Sequence, residues 1–183
     1  MHFVIVCVVL TIVTTSATAA DKLHFAHALK KALEDIIIQD HEAFLDSALE
    51  MIEPIHNLCD DPSKKNLEIV HKNFEVLVLN WSRIEMYRFG PALENNLFEK
   101  LFYWPDRRGR AINQVRKVLF RKDQTVLTTE TLAQKSVAVQ GLLALEFILF
   151  GTGSETLVIG NTYRCNYLGS IAGVIAMNAS SLL

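Results

Sequence analysis

The sequence predicts an all-α fold, an up-and-down helical bundle with an irregular aromatic and arginine-rich loop between helices. Three observations predict it. Apolar residues recur three and four apart through two long segments, Asp21–Met51 and Ser63 to about Phe89, the period of a helix with one buried face. A third segment, Val137–Phe150, is apolar except for Gln140 and Glu146, the composition of a helix wrapped by others. No segment shows the alternation of a half-buried strand.

The chain has 183 residues, 50% of them hydrophobic, and a formal net charge of -2. That suffices for one domain with a real core. The near-neutral balance speaks against a dedicated nucleic-acid binder, which carries a basic surplus. Residues 1–19 read as a signal peptide. Phe3–Val13 is apolar and Ala17-Thr18-Ala19 fits a cleavage site, although His2 is the sole basic residue ahead of the run. Removal of 1–19 leaves 20–183 as the mature bundle, periplasmic or secreted. It also leaves no stable membrane span, because the apolar run is short for one. Cys7 falls inside that run, which leaves Cys59 and Cys165. In an exported protein they are a disulfide candidate, with two buried free thiols as the alternative. The loop closed would be long, worth about 3–5 kcal/mol in the chain-entropy model.

In chain order, Leu29, Leu33, Ile36, Ile37 and Phe44 form the apolar stripe of the first helix, and Pro54 is expected to end it. His24 and His27 share a face and read as solvated. Asn57–Ser63 is expected as a turn, with Asp61, Pro62 and Ser63 supplying helix-start chemistry. The second helix carries Leu67, Val70, Phe74, Leu77, Trp81 and Ile84 as a bundle stripe. Glu68 and His71 have a Glu-x-x-His spacing, read as a solvated flank. Gly90-Pro91 breaks the chain, and Ala92–Leu101 is expected as a short helix. Phe102–Arg110 then packs Tyr103, Trp104, Asp106, Arg107 and Arg108 into a plug or a binding element. Ala111–Leu119 follows as an amphipathic helix. The three arginines at its start sit where the helix dipole disfavours cations, which hints at acidic partners. Asp123–Thr129 is a polar linker. Thr128–Glu130 cap a helix that is expected to run on through Val137 to Gly151, where glycine stops it. The last helix covers about Asn161 to Met177, with Tyr163, Tyr167, Ile171 and Ile175 four apart.

Phosphate loops, nucleophile elbows, Cys-x-x-Cys and His-Glu-x-x-His are all missing from the sequence. Six segments in order do carry a resemblance. They are Leu58-Cys59 with Pro62-Ser63, Trp81–Glu85, Arg88-Phe-Gly-Pro91, Trp104–Gly109, Val139–Glu146 and Tyr163-Arg-Cys165. Together they resemble the imelysin family of exported bacterial proteins. The resemblance implies two related helical bundles, of which this chain would supply the first, since family members run to about twice its length. It implies a link to iron uptake, a disputed metallopeptidase assignment, and a Gly-x-His-x-x-Glu motif as functional centre.

Gly141 and Glu146 stand at the outer positions of that motif, but Leu143 occupies the place of the His. A carboxylate in so apolar a helix is expected to be paired, protonated or metal-bound. A metallopeptidase needs about three protein ligands and a water, and this helix offers one carboxylate. Three readings stand open. The first is a non-enzymatic exported protein of iron or other metal acquisition, with Glu146, Glu85 and Asp106 as metal ligands, iron or zinc as the ion, and Arg88 and Arg108 beside them. The second is an imelysin-type metallopeptidase. The third is a structural bundle half in which Glu146 pairs with Arg88, Arg108 or Arg164. Gly141, Leu143, Trp81 and Trp104 complete the motif and packing set. A second bundle or another copy is the expected cover for an exposed apolar face.

Overall fold

The computed structural model describes residue 22 and residues 24–183. The expected signal peptide and Cys7 lie outside the described residues. The chain divides into two compact units, 1–39 and 40–183. In the first, residues 24–32 are α-helical and Leu33–Ile37 form a π-helical turn. Of the apolar stripe expected there, Leu29, Leu33 and Ile36 are exposed and Ile37 is half-buried; His24 and His27 are exposed.

Helix α1, Ile38–Glu50, buries Phe44 and Ala48. Pro54 does not end it. The break falls at Met51, and Pro54 sits in the first turn of α2, Ile52–Asp60. There its missing N–H costs nothing, because first-turn N–H groups have no intrahelical acceptor. The expected turn at Asn57–Ser63 accordingly narrows to residues 61–63. Ser63 caps α3, Lys64–Ile84, by accepting the Asn66 N–H at 3.2 Å. The α3 stripe lies where its period places it, with Val70, Phe74, Leu77, Trp81 and Ile84 buried. The helix stops at Ile84, short of Phe89.

The expected helix Ala92–Leu101 is split. A 3-10 turn spans Gly90–Leu93, Asn95 and Asn96 are left-handed at φ 50 and 56, and α4 is Leu97–Leu101. Asparagine tolerates that conformation better than most residues. Helix α5, Arg110–Arg121, follows a 3-10 turn at Arg107–Gly109. The Asp106 carboxylate accepts the N–H groups of Ala111 and Ile112 at 2.9 and 3.3 Å. A negative charge thus caps the end that three arginines would otherwise disfavour.

The helix expected from Thr129 to Gly151 is three pieces. Helix α6 is Thr129–Leu132, capped by Thr128. A 3-10 turn covers Val137–Val139, Gln140 is extended, and α7 is Gly141–Phe150. The buried Gln140 amide donates to the Lys135 carbonyl at 2.9 Å and holds this break. Asn161 caps α8, Thr162–Ser180. Helix α8 is buried on most sides and packs on α2, α4, α6 and α7. The centre of the fold is therefore the α7–α8 pair, not α7 alone. Cys59 of α2 and Cys165 of α8 form a disulfide, with Cα atoms 5.7 Å apart. The described residues are all-α, with no strand among them.

Candidate functional site

Gly141 opens α7 with φ 78. A Cβ there would meet the Leu101 carbonyl oxygen at 2.6 Å and the Lys100 carbonyl oxygen more closely still. The glycine is required both by its left-handed backbone and by the close approach of the chain leaving α4. From it the helix buries Leu142, Ala144, Leu145, Ile148 and Leu149. Leu143 is half-buried, and Glu146 and Phe150 are exposed.

This placement corrects the expectation of a buried carboxylate. Positions 143, 146 and 150 are three and four apart and so share one strip, and that strip faces outward. An apolar run does not force burial on every side, since single exposed apolar residues are common on surfaces. Glu146 has no hydrogen-bond or ion-pair partner among the described residues. The expected pairing with Arg88, Arg108 or Arg164 is not made.

The other named residues are also elsewhere engaged. Glu85 is exposed at the end of α3, and its carbonyl accepts from Arg88 Nε at 3.4 Å. The Arg88 guanidinium lies over the Phe98 ring, 4.0 Å from its centroid. Asp106 is the α5 cap. Arg107 and Arg108 are exposed. Trp81 is buried against Phe44, Phe98 and Phe102, and its Nε1 has no partner among the described residues. Trp104 is exposed, stacked on Phe102 and followed by a cis peptide bond to Pro105. His71 reaches the far end of α7: its Nε2 lies 3.4 Å from the Leu149 carbonyl, and its ring stacks on Phe150. No group of three His, Cys, Asp or Glu side chains able to hold a metal occurs among the described residues. Glu146, Glu85 and Asp106 therefore do not fit a resident ion within this bundle.

The structure instead brings out Arg164. Its side chain is only 5% exposed. Nε, Nη1 and Nη2 donate to the carbonyls of Ile148, Thr152 and Phe147 at 3.1, 3.1 and 3.2 Å. These are carbonyls at and just beyond the C-terminus of α7, the end where a cation is favoured. Burial pulls the guanidinium below its ordinary pKa, and the charge of Glu155 opposes that. The sequence held a signal for it, a lone cation in the first turn of an apolar helix, beside Cys165. Next to it Tyr163 donates to the carbonyls of Asp123 and Val118 at 2.9 and 3.2 Å. Burial, with the charge of Asp123, pushes its phenol up to about 12.

The imelysin family model, peptidase M75, matches residues 37–183 of the chain, a span that holds Cys59, the Trp104–Arg110 loop, Gly141, Glu146 and Cys165. The chain belongs to the imelysin family. Among solved structures, an imelysin-like protein from Psychrobacter arcticum 273-4 superposes on this imelysin chain with a TM-score of 0.74 at 23% identity. The match covers 85% of this chain and 48% of that one, so the chain spans about half the length of that protein. The likeness shows the fold. Comparison with curated protein sequences found no match. No helix among the described residues is long and apolar enough to cross a membrane.

Proposed function

We propose that this imelysin is an exported, non-enzymatic protein of iron or other metal acquisition that acts by presenting a surface to a partner. The observation that carries the reading is the motif helix. Leu143 stands where an imidazole would bind, and Glu146 points into solvent with no partner among the described residues. A lone exposed carboxylate coordinates an ion only when other groups complete the shell. The reading therefore assigns Glu146 to a site shared with a facing surface, a second bundle or another copy. Exposed Ile69, Val76 and Leu79 along α3, with Met86 just beyond it, supply apolar area for such a contact.

Calorimetric titration with ferrous, ferric and zinc ions tests it. The chain by itself should take up no ion more tightly than about millimolar, an affinity of about 4 kcal/mol. It should cleave neither casein nor insulin. Micromolar uptake abolished in Glu146→Gln would place the whole site inside the chain and overturn the shared-site reading. Chelator-sensitive proteolysis by pure protein would overturn the non-enzymatic one.

A further inference from the structure

We propose that a cleft between the end of α5 and the loop joining α7 to α8 binds a small carboxylate with an apolar body. The cleft has a volume of about 500 Å³. Phe120 and Phe147 supply apolar wall, Arg116, Lys122 and Arg164 supply charge, and none of the lining residues is acidic.

Arg164 is the anchor. It is buried, and its bonds to three neutral carbonyls leave further N–H groups on Nη1 and Nη2 uncommitted. No carboxylate lies within ion-pair distance of it among the described residues. Glu155 is close enough to act on its charge, but it is exposed and makes no ion pair with it. Asp123, whose charge acts on the adjacent Tyr163, accepts the N–H and O–H of Thr125 at 2.9 and 2.6 Å. The guanidinium thus has no ion-pair partner among the described residues, and an anion entering from the cleft meets its uncommitted N–H groups.

The surrounding residues fit the same ligand. Gly153 lines the cleft with φ 88, and a Cβ there would meet Arg164 Nη1 at 2.5 Å. The glycine thus leaves open the approach to the guanidinium. Arg116 lies over the Phe147 ring at 5.4 Å, which sets a second cation at the apolar wall. Phe120 is 90% exposed at the mouth, a whole aromatic ring left in water. A guanidinium fork matches planar oxyanions, and the two rings favour an aromatic or aliphatic body over a bare ion. The cleft is separate from Glu146 and stands independently of the metal reading.

The probe is benzoate, followed by amide chemical shifts in the full chain, with acetate, inorganic phosphate and benzyl alcohol as comparisons. Benzoate should give saturable shifts at Gly153, Arg164 and Phe120. Acetate should bind more weakly, and benzyl alcohol should not saturate. Arg116→Gln with Lys122→Gln, both exposed and so compatible with folding, should weaken benzoate by about 10-fold or more through two lost charge-assisted contacts. Phe120→Ser should weaken benzoate and leave acetate unchanged. Circular dichroism confirms that each variant is folded. Absence of saturation by benzoate, or an unchanged affinity in the folded double variant, overturns the proposal. Phosphate binding as tightly as benzoate overturns the assignment of a carboxylate with an apolar body.

Discussion

The Glu146 carboxylate is exposed with no partner among the described residues, and the Arg164 guanidinium is buried against three carbonyls at the end of α7. Glu146→Gln should therefore leave the free energy of unfolding in urea unchanged to within about 0.5 kcal/mol. A loss of several kcal/mol would show a buried charge pair after all. Beside Arg164 the tyrosines make stability sensitive to high pH. Tyr163 is raised to about 12 by burial and by Asp123. Tyr167, which donates to the Val139 carbonyl at 2.6 Å, is raised further, by burial first. A raised folded pKa favours the neutral phenol in the native state, so the stabilisation is whole below the unfolded value of about 10. It is then lost as pH rises through 10 toward 12. Urea midpoints should fall over that window, and less steeply in Tyr163→Phe. A midpoint that stays level throughout it would contradict the assignment.

Element boundaries show what period alone misses. The stripes of α3 and α8 were legible, because side chains three and four apart must share a face and the core takes that face. The breaks at Met51, Asn95-Asn96 and Gln140 were not. Asn95 and Asn96 break the chain by left-handed torsions, and Gln140 by an extended backbone held by its side-chain bond to the Lys135 carbonyl, whereas Met51 keeps helical torsions. Gly141 is the sharpest case. Its residue type matched a family motif, but its reason is the backbone of Leu101 packed against it. Gly141→Ala should thus cost about 2–4 kcal/mol, from a strained left-handed torsion plus a steric clash. Urea denaturation of the two chains measures it, and a cost below that of an ordinary surface change would remove the packing argument.

Across the whole molecule the Cys59–Cys165 bridge ties α2 to α8 over 106 residues of sequence. Its reduction should lower stability by about 4–5 kcal/mol in the chain-entropy account, read as a drop in urea midpoint with a thiol reductant. An unchanged midpoint would mean that the unfolded chain is not constrained by the loop. Legible in the residues alone were the helical class, the stripes of α3 and α8, the serine and threonine caps and the family resemblance, with Cys59 and Cys165 open between a bridge and two free thiols. These follow from local chemistry and short periods, which neighbouring residues carry in full. Not legible there were the exposure of Glu146, the use of Asp106 as a helix cap and the closing of the end of α7 by Arg164. Those outcomes depend on which side of each helix another element covers. That is settled by packing between segments far apart in the chain, and no single stretch encodes it.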